Sequence, residues 1–490
     1  MLWTHHNNMM CFPQRTSRWS LAIGLLRVGR RKCLSLPLSL ALIAAASCGP
    51  LQAAEGPPSN EQGRAPDSAT AAVQPASGVE SWNAHGQATF VAQYHGHFRS
   101  PYAGANSLTA GASGKETADV TAFFGIRPWR GGEIYINPEV DQGFGLSDTV
   151  GVAGFPSGEA YKVGHRSPYL RLNRAFLRQV FALEGSGEEH AESAANVLAG
   201  SHPADNVTVT IGKLSVTDMF DVNTYAHDPR ADFFNWAVID AGAFDYAADA
   251  WGYTYGAAVE VSRGRWSLRG GFFALSDVPN SQTLDKSFRQ YSLTGEVEER
   301  HTLWGHPGRL KVLGYVNRGR MARYDDALAQ AAGHRVPDVA TVRHFASRPG
   351  VSINAEQEIT AELGSFVRAS ANDGSKEAFE FTEINRSVSG GLSLRGAGWS
   401  RSNDTLGIAG VINGLSDPAR RYFAAGGLGI VIGDGALPHY EREKILEAYY
   451  SARVGEHLFV ALDVQRIVHP AYNRDRGPVS IVGLRLHSDF

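Results

Sequence analysis

Acidic, basic and aromatic side chains crowd one stretch of this chain, residues 215–249, which holds Asp218, Asp221, Tyr225, His227, Asp228, Arg230, Phe233, Phe234, Asn235 and Trp236. Carboxylates and guanidinium groups are strong hydrogen-bond partners and aromatic rings offer flat faces. Such a mixture suits weak, reversible contact with a solute rich in hydroxyls. It does not suit covalent catalysis: neither a His-Glu-x-x-His nor a Gly-x-Ser-x-Gly signature occurs. Cys11, Cys33 and Cys48 all lie in the first fifty residues, so the remainder can form no disulfide and no thiolate metal site. The scattered histidines read as hydrogen-bonding groups, and no metal or cofactor is expected. The run Asp228-Pro229-Arg230 also fits a turn whose charges pin the segment in place, and Trp236 fits either a stacking platform or an anchor at a membrane interface.

The frame around this stretch must be built of strands. The chain of 490 residues is 43% hydrophobic and 19% charged with a net charge of -3, which excludes a polybasic nucleic-acid binder and a disordered acidic tail. Its 54 glycines, with 17 Tyr, 23 Phe and 9 Trp, favour many turns and pleated surface over helices. Arg27, Arg30, Arg31 and Lys32, an apolar run over 34–46 and small residues ending at Ala53-Ala54 have the layout of a cleaved export signal. Residues 1–53 are therefore expected to be a signal peptide, 54–80 a flexible tail rich in Pro, Ser and Ala, and 81–490 the folded domain. After the signal no segment approaches the ~20 apolar residues that a membrane-spanning helix needs.

From Trp82 onward the chain alternates with period two. Val120, Ala122, Phe124 and Ile126 interleave with Asp119, Thr121 and Arg127, and Ile134, Ile136 and Val140 with Glu133, Asn137, Glu139 and Asp141. The short link at 130–132 makes these a hairpin. Further pairs fall at 251–261 with 266–272, 291–297 with 310–316, 351–359 with 363–371, 388–396 with 405–412 and 445–454 with 458–464. Long polar links separate them, at 101–115, 142–168, 215–249, 319–348 and 414–443. With single strands at 84–93, 171–181, 207–213 and the end of the chain, the total is about sixteen, in segments near ten residues as in outer-membrane barrels. The link at 183–206 breaks the rhythm by being long. The final segment puts Val482, Leu484, Leu486 and Phe490 on one face and Gly483, Arg485, His487 and Asp489 on the other. That terminal aromatic resembles the signal read by the barrel-assembly machinery. The expected fold is thus all-β: a transmembrane antiparallel β-barrel of about 16 strands with long extracellular loops and an inward-folded constriction loop, in the outer membrane of a Gram-negative bacterium, in contact with its lipids and lipopolysaccharide.

Parity then assigns the wall. An Arg facing mid-bilayer lipid costs ~2–4 kcal/mol, so the face carrying Arg174 and Arg178, with Leu172 and Phe176, is placed in the lumen. Pro138 has no ladder donor and predicts a bulge or an early end of the strand there. Glu139, Asp141, Asp463 and Arg485 join the lumen, with Asp228, Arg230, Asn235 and Trp236 from the inward loop. Opposed charges along a wall also brace it, so a structural role stands beside solute contact for each. A barrel of this width leaves an aqueous channel unless a loop folds in.

Three segments resemble the carbohydrate-selective porin family of the OprB type: Tyr225-Ala226-His227-Asp228-Pro229-Arg230 with Phe234-Asn235-Trp236; Ala424-Ala425-Gly426-Gly427-Leu428-Gly429 with Gly433-Asp434-Gly435; and Asn473-Arg474-Asp475-Arg476-Gly477-Pro478. The resemblance implies a single-chain sixteen-strand barrel, inward loops forming a constriction, and diffusion of glucose and related small sugars. The glycine cluster lacks nucleotide-binding spacing and reads as a bend or loop closure. Rival readings are a general or non-sugar channel, a barrel acyl hydrolase whose triad is set by geometry alone, and a polymer exporter or non-conducting scaffold.

Overall fold

The computed structural model describes residues 78–160, 164–331 and 335–490; the expected signal peptide and nearly all of the expected tail lie outside them. These described residues form one compact unit. Its barrel strands are β1 (Trp82–His95), β2 (Ser113–Trp129), β3 (Gly132–Gly143), β4 (His165–Ala182), β7 (Asn206–Leu214), β8 (Thr254–Arg263), β9 (Trp266–Ala274), β10 (Tyr291–Leu303) and β11 (His306–Met321). The circuit continues through β12 (His344–Glu358), β13 (Leu363–Asn372), β14 (Arg386–Gly396), β15 (Arg401–Gly414), β16 (Glu443–Val454), β17 (Leu458–Val468) and β18 (Val479–Asp489). Each pairs antiparallel with its neighbours, and β1 pairs with β18 to close a sixteen-stranded barrel. Closure leaves no unpaired backbone edge, which is what allows strands to sit in hydrocarbon.

The faces follow the alternation. On β2, Val120, Phe124 and Ile126 point out and are exposed, while Asp119, Thr121 and Phe123 are buried on the inside. Short turns gather at one end and long loops at the other, the arrangement of outer-membrane barrels in which short turns face the periplasm. The exposed tryptophans among the described residues, Trp82, Trp129, Trp266, Trp304 and Trp399, all lie at the short-turn end, where an amphipathic ring suits the membrane interface. No helix among the described residues is long and apolar enough to cross a membrane. At the seam, Gly86 and Phe490 exchange both backbone hydrogen bonds, at 2.7 and 2.9 Å. A Cβ on Gly86 would stand 2.4 Å from the Phe490 ring, so only glycine lets that ring lie across β1.

One face assignment changes. Opposite Pro138 the pairing of β3 with β4 shifts register: Asn137 faces Arg174 and Pro138 faces Leu172, leaving Asn173 as the extra residue. The bulge reverses the strand's parity. Asn173 and Arg174 both turn inward, whereas Leu172, expected on the arginine face, is exposed to the outside. The strand expected at 251–261 also begins later, because Trp251 to Tyr253 belong to the preceding loop.

The long link before β7 folds into a hairpin of its own, β5 (Glu188–Ala191) with β6 (Gly200–Pro203). Its tip enters the barrel from the short-turn end. Asn83 donates to the Val197 carbonyl at 2.7 Å, Asn137 to the Asn196 amide oxygen at 2.9 Å, and Arg178 to the Asn196 carbonyl at 3.1 Å. Leu198 packs with Tyr135 and Phe176. Replacing residues 187–204 with a two-residue turn is expected to raise single-channel conductance while the barrel keeps its heat-modifiable mobility in gels; unchanged conductance would mean that the tip does not narrow the path.

Candidate functional site

The link between β7 and β8, residues 215–253, turns into the barrel, and almost all of residues 230–253 are buried. Its α-helical turn, α1 (Trp236–Ile239), is capped by Asn235, whose side chain accepts from the Ala237 amide at 3.0 Å. Local turns satisfy part of the remaining backbone of the segment, and other groups find partners on the wall, since irregular backbone at membrane depth persists only where protein satisfies it. Ionised side chains supply them. Arg368 on β13 donates to the carbonyls of Val238, Asp221 and Ala226 at 2.9, 3.0 and 2.8 Å and pairs with the Asp221 carboxylate at 3.2 Å. Arg485 on β18 holds the carbonyls of Pro229, Asp232 and Ala231 at 2.6–2.8 Å. Glu447 on β16 accepts from the amides of Phe234 and Asn235. Tyr225 seats its ring on Gly364, where a Cβ would come within 2.0 Å.

A second loop, between β3 and β4, meets the first. Gly158 donates to the Phe234 carbonyl at 2.8 Å, and Glu443 accepts from the amides of Ala153 and Gly154 at 3.0 and 2.8 Å. Between the two loops and the wall of β4 lies a cavity of about 190 Å³, room for roughly six waters at their liquid volume. Glu159, Asp218, Asp228, Asp240, Arg174, His227 and Arg230 line it, together with Trp236, Tyr246, Trp251 and Tyr253. Arg174 grips Asp218 through two bonds, at 2.6 and 2.7 Å. Arg230 stands 3.3 Å from each of Asp119, Glu139 and Glu159. The Arg171 guanidinium lies 3.4 Å from the Trp251 ring centroid and binds Asp249 at 3.0 Å, while the Trp251 indole donates to Tyr169 at 2.9 Å. Hydrogen-bond donors, acceptors and ring faces therefore converge on one narrow space. Below it, toward the short turns, a wider cavity of about 370 Å³ is lined by Arg178, Arg269, Glu298, Arg300, Arg309 and Lys311, among others.

The ten residues singled out from sequence divide by position. Arg174, Asp228, Arg230 and Trp236 line the narrow cavity, and Arg178 lines the wider one. Glu139 lies behind Arg230, hydrogen-bonded by Asn173 at 2.6 Å, with Asp141 buried next to it on the inner face. Asn235, on the inward loop, and Asp463 and Arg485, on the wall beneath it, are buried: Asn235 donates to the Gly154 carbonyl and to Gln465, and Asp463 accepts from Gln465 at 3.0 Å. These three position the loop and do not reach the cavity. Asp228-Pro229-Arg230 is a turn, Asp228 accepting from the Arg230 amide at 2.9 Å, with Arg230 alone of the pair reaching the wall. Glu159, Asp240, Tyr246, Trp251 and Tyr253 were missed. Glu159 comes from a link that showed only length and polarity, and Trp251 and Tyr253 read as strand; their one signal was the aromatic density just past the loop.

Two charged loop groups in the cavity are shifted by burial and by each other. Burial pushes the Asp240 carboxyl up. Burial opposes charging of His227, but Asp240, 3.7 Å away, outweighs it and holds the imidazole above the ordinary histidine value.

The closed barrel, the inward loop and the charged narrowing define an outer-membrane porin. The model of the carbohydrate-selective porin, OprB family matches residues 118–490, and the chain belongs to that family. Among solved structures it resembles OprB of Pseudomonas putida, with 15% identity and a TM-score of 0.64 over 84% of this chain and 94% of that one. The outer-membrane channel DcaP of Acinetobacter baumannii aligns at 10% identity and a TM-score of 0.46, covering 84% of this chain and 97% of that one. No curated protein matches. Two of the three family segments meet in space: Asn473 donates to Asp434 at 2.9 Å, and Arg476 binds Asp434 and the Leu108 carbonyl. Gly426, at φ 87°, ends α2 (Asp417–Ala424), with its amide and that of Gly427 bonded to the Phe423 and Tyr422 carbonyls, so the glycine cluster is a helix and loop closure.

Arg368→Met is expected to cost about 3–5 kcal/mol, because it leaves Asp221 and the loop carbonyls buried without their cation. Loosened loops should appear as larger, noisier conductance in bilayer recordings. His227 supplies a second test. Its protonated form adds positive charge to the narrowing, so reversal potentials in a salt gradient should move toward anion preference as pH falls, and His227→Gln should flatten that dependence.

Proposed function

We propose that the chain lets small carbohydrates, glucose and related sugars, diffuse down their gradient across the outer membrane into the periplasm, with partial selectivity set by the narrow cavity between its two inward loops. The observation that carries this reading is the meeting of paired charges and aromatic faces in one space. Sugars present hydroxyls that both donate and accept, and C–H faces that lie on rings. Fixed donors and acceptors replace lost water while ring faces match the carbon skeleton. Because Arg174 and Arg230 are already paired with carboxylates, a neutral solute need only share those hydrogen bonds, which keeps binding weak enough for release.

In this reading Arg174, Asp228, Arg230 and Trp236 contact the passing sugar. Glu139, Asp141, Arg178, Asn235, Asp463 and Arg485 set the shape and charge of the path. Residues 1–53 direct export and are removed, residues 54–80 form a tail, and residues 81–490 make the barrel. Phe490 is the handle for the assembly machinery of a Gram-negative cell. A channel with no chemical step is the reading that these groups support best.

Liposomes containing the protein should swell faster in glucose and arabinose than in an equally sized control solute; equal rates would make it a general diffusion pore. Arg174→Gln combined with Asp218→Asn removes a charge pair without leaving a lone charge. The double variant should keep its barrel and its ion conductance while its preference for sugar over the control falls.

A further inference from the structure

On the outer wall of the barrel, near the long-loop end, the pairing register sets small residues between large ones. Ala371 on β13 lies between Val351 of β12 and Arg386 of β14, and Ala369 one row below lies between Ile353 and Val388. Across the next strand Arg386 faces Gly414 and Val388 faces Ile412. Val351, Ile353, Val388 and Ile412 stand exposed around the low floor formed by the two alanines and Gly414. The result is a groove of about 790 Å³.

The upper end of the groove is basic. Arg386, Arg420 and Arg442 line it, with Tyr440. Arg420 lies over the Tyr440 ring at 4.2 Å and bonds the exposed Asp417. Lys444, paired in register with Ile412, points the same way. No side-chain hydrogen bond or ion pair holds Arg386, Arg442 or Lys444 among the described residues. This separates them from the arginines of the lumen, of which Arg174, Arg230, Arg348, Arg368 and Arg476 are each paired with carboxylate. Cations left without counter-charge beside an apolar trough match a ligand that is anionic at its head and hydrocarbon below.

We propose that this groove binds a phosphorylated, multiply acylated glycolipid of the lipid A type from the outer leaflet. An acyl chain lies over Ala369 and Ala371, and phosphate groups are received by Arg386, Arg420 and Arg442. Guanidinium groups suit phosphate oxygens because both present planar, forked contacts. The position is that of the headgroup layer at the long-loop end, above the rows of lipid-facing Val and Ile.

The full barrel in detergent micelles is titrated with bis-phosphorylated, hexa-acylated lipid A and followed by native mass spectrometry. One lipid A per barrel is expected. Arg386→Gln, Arg420→Gln and Arg442→Gln together should weaken it on the order of a hundredfold, roughly fivefold for each cation removed. Ala371→Leu raises the floor without touching the arginines and should also weaken it. Sugar-driven swelling should be unchanged in both variants, since neither alters the lumen, so failure here is distinct from failure of the pore. The proposal is overturned if the triple variant or Ala371→Leu binds lipid A as the unaltered protein does. It is equally overturned if dephosphorylated lipid A or phosphatidylglycerol binds as tightly, or if inorganic phosphate displaces the lipid.

Discussion

An irregular loop of nearly forty residues cannot rest inside a membrane barrel unless its peptide groups find partners there, and in this protein ionised side chains on the wall are those partners. Arg368 and Arg485 collect carbonyls from the loop and Glu447 collects its amides, while Glu443 does the same for the second loop. Each is a charge taken out of water, so each holds only while several hydrogen bonds compensate it. The cost makes the arrangement specific. A loop displaced by a few ångströms would strand a guanidinium or a carboxylate in a dry site, and so the loop has one seat.

The narrowing inherits its geometry from that seat. Arg230 is drawn between carboxylates of two strands and of the second loop, which ties the 215–253 segment to the link between β3 and β4. The aromatic residues of the loop complete the fit from the other side: Trp236 packs on Phe155 and lies parallel to Tyr246. Charge fixes where the loops sit, and ring packing fixes how much space is left. The cavity is what remains between them.

Parity carried much of the fold in the sequence, because a strand between lipid and water must separate its residue types at every second position. It failed where the backbone gained a residue. Asn173 shifted the face of Leu172 opposite Pro138; the proline was visible, but not which strand would bulge. The inward loop was legible from its density of charge and aromatics, yet density could not tell wall-facing residues from cavity-facing ones. Asn235, Asp463 and Arg485 resemble binding residues by type, and their burial where the loop meets the wall is a tertiary fact. Glu159 had no local mark at all, since its role depends on a carbonyl of Phe234 reaching Gly158 across the lumen. The hairpin formed by β5 and β6 showed only as a break in the rhythm of the links.

The seam between β1 and β18 joins residues about 400 positions apart, as in the pairing of Gln87 with Asp489. Loop-closure entropy makes such a contact costly to form early, and every other ladder of the barrel joins strands much nearer in sequence. Until the two meet, the sheet is an open ribbon with a raw edge on each side, both able to accept a strand from another chain. The lumen, the loops and the narrowing acquire their meaning only when that ribbon has become a ring.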